Sequence, residues 1–132
     1  MTYKELRETQ QERVNDFLAR YGFFAFSDAQ FAKGLEKLGT DQLAAVPGGG
    51  YIRSDQAEAF KTMLQQTGEE LREAMRDPDF AFDAFRSELA NTEYSFTGET
   101  DEMYLQLGLS RDEIQKDAVM REALEKALAS LG

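Results

Sequence analysis

The stretch YGFFAFSDAQFAKGL, Tyr21 to Leu35, decides how this chain folds. It sets four phenylalanines, Phe23, Phe24, Phe26 and Phe31, around a helix start at Ser27. The pattern Ser27-Asp28-Ala29-Gln30 has the spacing of a capping box, in which a hydroxyl and an amide side chain satisfy free N–H groups at a helix start. Phe31, Leu35 and Leu38 form the apolar edge of that helix, and Gly39 supplies a left-handed stop. The rings ahead of Ser27 are too crowded and too few for a helix of their own. They predict a brief strand or a buried connector, with the cluster as core rather than as a ligand cage.

Before this stretch, Thr2 and Glu5 make another capping box. Leu6, Gln10, Val14, Phe17, Leu18 and Tyr21 then fall on one helical face up to Gly22. After it the period shortens. DQLAAV, PGGG and YIR read as two short strands joined by a glycine turn, with Pro47 at a strand edge. Ser54 is placed as the cap of a long third helix whose stripe includes Phe60, Met63, Leu64, Leu71 and Met75. Asp77-Pro78-Asp79 breaks it. A fourth helix follows through Phe82, Phe85 and Leu89 to Asn91. Thr100 is expected to cap a short helix through Met103, Tyr104 and Leu107, and Ser110 with Glu113 a last one running toward Leu131. The expectation is a mostly helical α+β fold of about six helices and one small β-hairpin, in a single compact domain over residues 1–132.

Composition narrows function mainly by exclusion. The 132 residues contain no cysteine and no histidine, so disulfides, thiolate metal sites and Ser-His or Cys-His catalysis have no material to work with. The serines at 27, 54 and 110 stand at helix starts, where capping already accounts for them. No enzyme activity and no catalytic residue is expected. The first residues are charged and carry no apolar segment of a secretion signal, and no run approaches the about 20 apolar residues that span a bilayer. A cytoplasmic protein without membrane contact is expected.

Charge is the strongest signal. The chain carries 15 basic and 25 acidic residues, a net charge of −10, which argues against direct binding of nucleic acid. The acids concentrate between Ser87 and Glu113, where Glu88, Glu93, Glu99, Asp101, Glu102, Asp112 and Glu113 face a single base, Arg111. Such a stretch either solubilises the chain or docks a basic protein. For docking, Glu93, Tyr94, Glu99, Asp101, Glu102 and Tyr104 are the candidate residues, the tyrosines as aromatic anchors. The alternative is a small-molecule or ion-binding module on Gly48, Gly49 and Gly50 with Tyr51 and Arg53, because successive glycines let backbone N–H groups cradle an anion. Against it, the lysine and hydroxyl residue of a phosphate loop are missing. The acids lack the spacing of a calcium loop, so no metal and no cofactor are expected.

Three segments together, FFAFSDAQFAKGL, VPGGGYIR and DPDFAFDAFRSELANTEYSFTGETDE, resemble a family of small uncharacterised proteins from phages, plasmids and other mobile elements of gut bacteria. The resemblance runs from Phe23 to Leu109 in the same order. It implies a shared fold and a genomic setting, with no activity, cofactor or catalytic residue attached. Where such relatives tend to read Asn-His-Glu-Tyr, this chain has Asn91-Thr92-Glu93-Tyr94, so a role for that histidine could not be served here. The setting makes a counter-defence inhibitor, an anti-CRISPR-like blocker of a nucleic-acid-binding effector, the functional expectation.

Overall fold

Local chemistry at the helix ends sets most of the element boundaries. The computed structural model describes residues 1–92 and 98–131, and within these the chain forms seven α-helices and three strands. They are α1 (Tyr3–Tyr21), β1 (Gly22–Phe24), α2 (Asp28–Leu38), β2 (Leu43–Val46), β3 (Gly50–Arg53), α3 (Ala57–Ala74), α4 (Pro78–Asn91), α5 (Asp101–Leu107), α6 (Arg111–Lys116) and α7 (Ala118–Leu131). The mostly helical α+β class is therefore as the sequence implies. The chain divides into two compact units, one of residues 8–66 and one of residues 1–7 with 67–132.

In the unit of residues 8–66, β3 is the central strand of an antiparallel sheet ordered β1-β3-β2. The FFAF segment thus supplies a third strand to the expected hairpin, with Phe23 opposite Tyr51 and Phe24 opposite Gly50. Alternation along the strands gives the sheet two faces. On one, Ile52 packs with Leu18 of α1 and Phe60 of α3. On the other, Phe23, Tyr51 and Phe31 of α2 form a triangle of rings with centroids 5.2–5.8 Å apart. Helix α2 can approach this closely because it turns Gly34 toward the sheet, where an added Cβ would lie 2.2 Å from the Phe23 ring. Ser27 caps α2 by accepting from the Gln30 N–H, and Gly39 ends it at φ 68°. The box is not reciprocal, since Gln30 Oε1 accepts from the Phe26 N–H instead.

The cluster of four phenylalanines does not all enter the core. Phe23 is buried and Phe31 half-buried, but Phe24 is 49% exposed and Phe26 76% exposed. The pairing register is the reason. Phe24 lies across from Gly50 and covers that glycine with its ring edge, while the Phe26 ring lies beside the exposed Gly49. Ser54 also departs from expectation. It opens a single 3₁₀ turn, Ser54–Gln56, and α3 begins only at Ala57.

The other unit is helical. Its core joins Tyr3 and Leu6 with Leu71 and Met75 of α3, Ala81, Ala84, Phe85 and Leu89 of α4, and residues of α5 to α7 such as Met103, Ile114 and Leu124. Asp77 accepts from the Asp79 N–H and Pro78 takes the first turn, so α4 starts one residue after the break. Ser110 and Glu113 form the full reciprocal box expected of them. The last helix is interrupted, however: Asp117 accepts from the Met120 N–H and so caps α7 as a separate helix after α6. Thr100 occupies the cap position of α5, yet its hydroxyl bonds no helix N–H and faces Arg111 instead.

Candidate binding surface

Helix α5 presents the acidic stretch. Met103 and Leu107, four apart, are 0% and 4% exposed and hold the helix to the unit's core. That phase turns Leu105 to the opposite side, where it is 77% exposed. Asp101 and Glu102, four and three positions earlier, flank Leu105 on the same outward side, and both sit where carboxylates favour a helix start. Arg111, at the start of α6, bonds Asp101 at 2.7 Å and lays its guanidinium 4.7 Å from the centre of the half-buried Tyr104 ring. The outcome is an exposed leucine one helical turn from two carboxylates, on a helix that also carries a stacked Tyr–Arg pair.

The acids do not form one unpartnered negative face. Glu88 accepts a 2.6 Å hydrogen bond from the Tyr3 hydroxyl. Burial pushes that phenol's pKa up to about 12, with Arg7 pulling it down and Glu88 raising it further. Glu113 accepts from the Ser110 N–H and pairs with Arg72, and the first of these bonds holds its carboxyl below the usual carboxylate range. Asp101 is tied to Arg111. Glu102 and Asp112 are exposed with no ion pair among the described residues, and Glu99 is exposed. Glu93 and Tyr94 lie outside the described residues. The structure therefore brings Asp101, Glu102 and Tyr104 together on α5, and turns Glu88 and Glu113 to structural work. Leu105, which no charge argument points to, is legible from its position two residues from both Met103 and Leu107.

The glycine-turn group is spread out. Gly48 and Gly49, at φ 90° and 86°, are exposed in the turn between β2 and β3, whereas Gly50 is buried under Phe24 and Val46. Tyr51 belongs to the ring triangle beneath α2. Arg53, at the far end of β3, makes two bonds to Asp55 at 3.0 and 3.2 Å beside a hollow of about 80 Å³. No single cradle unites them.

Two larger clefts occur in the helical unit. One of about 310 Å³ lies between α4 and α7 over Phe82, Val119 and Ala123. The other, about 360 Å³, is lined by Arg72, Arg76 and Lys116. In the second, Arg72 also bonds the Gly108 carbonyl, and Glu113 and Asp117 are occupied with helix capping, so these three charges hold the fold. Among the described residues no group of three or more acids is gathered to hold a metal ion, and no helix is long and apolar enough to cross a membrane.

A family model described as a family of unknown function (DUF7659) matches residues 2–130. No curated protein and no solved structure matches the chain.

Proposed function

We propose a protein-binding function for the chain, which belongs to the DUF7659 family of unknown function, with the outer face of α5 as the contact surface. The observation that carries it is Leu105, a large apolar side chain 77% exposed on a helix whose other apolar anchors are buried. Isolated exposed leucines are ordinary, but one on a short helix that also presents Asp101, Glu102 and the Tyr104–Arg111 pair has the make-up of an interface: an apolar anchor, an aromatic–arginine pair and a charged rim. The partner of matching chemistry offers an apolar socket with a basic rim. The net charge of −10 speeds its encounter at low salt. Glu93, Tyr94 and Glu99, just ahead of α5 in the sequence, belong to the same proposed surface.

The finer reading is a counter-defence inhibitor of phages or mobile elements, acting in the cytoplasm, that occupies a groove built for nucleic-acid phosphates. Its support is the charge and the carboxylates of α5, and it needs no catalytic group. The test is affinity capture from a host lysate, followed by titration of the captured protein against the wild type and the variants Leu105→Ala and Glu102→Lys. Each variant should weaken binding at least tenfold, about 1.4 kcal/mol, with an unchanged melting temperature, since neither residue is buried. A specific partner held equally by all three proteins sinks the proposal.

A further inference from the structure

We propose that the outer edge of β2 pairs with the same edge of a second copy of this chain, joining two three-stranded sheets into one antiparallel sheet. The register gives the reason. In an antiparallel pair, successive residues turn their backbone N–H and C=O groups alternately toward and away from the neighbouring strand. The Ser54 N–H donates to the Gln42 carbonyl at 2.9 Å, which fixes the phase of β2 against β3. Gln42, Ala44 and Val46 turn their backbone groups inward, and Leu43 and Ala45 turn theirs out. Among the described residues nothing bonds the outward groups of Leu43 and Ala45.

The opposite edge of the sheet is partly guarded by side chains. The Ala25 N–H donates to the Gly49 carbonyl, so Gly22 and Phe24 point outward on β1. The Gly22 carbonyl accepts from Lys37 Nζ at 2.8 Å, which brings a lysine charge to that edge, and the outward N–H of Phe26, two residues past Phe24, is held by Gln30. Charge on an edge is a usual guard against strand addition. The β2 edge has none: Leu43-Ala44-Ala45-Val46 is uncharged. Its remaining guard is Pro47, which lacks an N–H and ends any added ladder there.

The occupant that this edge fits is its own copy. A two-fold axis through Ala44 sets Leu43 of one copy opposite Ala45 of the other. Both are the outward-turned residues, so the two pairs exchange four backbone hydrogen bonds in register. The axis passes a small side chain, and the three-residue ladder stops at Pro47 on both sides. An unrelated peptide would satisfy one edge; a second copy satisfies two. With −10 on each chain, repulsion opposes the contact and salt relieves it.

Sedimentation equilibrium of the full chain over a concentration series tests this. The expected average mass climbs from 14.9 kDa toward twice that value, further at high salt than at low. Ala45→Pro removes the outward N–H without costing a bond to β3, and Ala45→Lys places a charge on the edge; both should stay monomeric. Should Ala45→Pro fail to fold, the lysine variant and amide exchange decide, with the Leu43 and Ala45 amides slowing as the wild-type concentration rises. A wild type that remains monomeric throughout overturns the proposal. So does a dimer that persists in both variants, or one that leaves those two amides fast.

Discussion

The two units are stabilised in different ways. Among the described residues, the helical unit closes around one contiguous cluster of seventeen buried hydrophobic residues, whereas the cluster between sheet and helices in the other unit holds three, Leu18, Ile52 and Phe60, with partly buried neighbours. What the sheet unit lacks in volume it replaces with ring geometry: the Phe23–Tyr51–Phe31 triangle on one face, and the Phe17–Phe60 pair at 5.3 Å on the other. A large core tolerates exposed polar chemistry at its margins, and α5 shows this. A small one spends its aromatics on covering strands and glycines, so Phe24 and Phe26 remain in solvent.

This difference is broken most severely from the helical side. Phe85 is fully buried in the large cluster, and Phe85→Ala should cost about 3–5 kcal/mol in a denaturant titration, because a packed interior cannot close the void. A cost below about 1 kcal/mol would mean that the cluster is not the main source of stability.

In the sheet unit the sensitive position is a glycine. Gly34→Ala places a methyl group 2.2 Å from the Phe23 ring, so the ring must move and the triangle open, at about 1–3 kcal/mol. Phe26→Ala, at a ring 76% exposed, should stay within about 0.5 kcal/mol in the same titration. Equal costs for the two would erase the distinction between ring geometry and ring exposure.

The smallest effect is silent at neutral pH. Tyr3, buried against Phe80 and hydrogen-bonded to Glu88, has its pKa raised from 10.0 to about 12. A raised folded value means that folding favours the neutral phenol. Its contribution is complete below the unfolded pKa of about 10 and fades as pH climbs through about 12. Stability measured by thermal melts should fall across that alkaline window in the wild type, and Tyr3→Phe should lose that part of the dependence. An identical alkaline profile in the variant would contradict this assignment.

How much of this was legible depends on the range of the interaction. Ser27, Gly39 and the Ser110–Glu113 box act within a few residues, and the structure places each where the sequence does. The break at Asp117 is local too, but the apolar period runs on across it and hides the cap. The acids divide the same way. That Asp101 and Glu102 begin a helix is readable from their own neighbours. That Glu88 meets Tyr3, 85 positions away, and Glu113 meets Arg72, 41 positions away, is not. The sheet was half visible, because a hairpin is local and β1 is joined to it only across α2.

The sequence by itself determined the helical class, the principal stops and caps and the net charge, because these follow from bonds between near neighbours or from composition. Only the tertiary structure decided which phenylalanines are covered, which carboxylates are already partnered, and which strand edge is left open. Burial and charge neutralisation are set by surfaces that meet from distant parts of the chain, and no short window of residues contains both sides of such a contact.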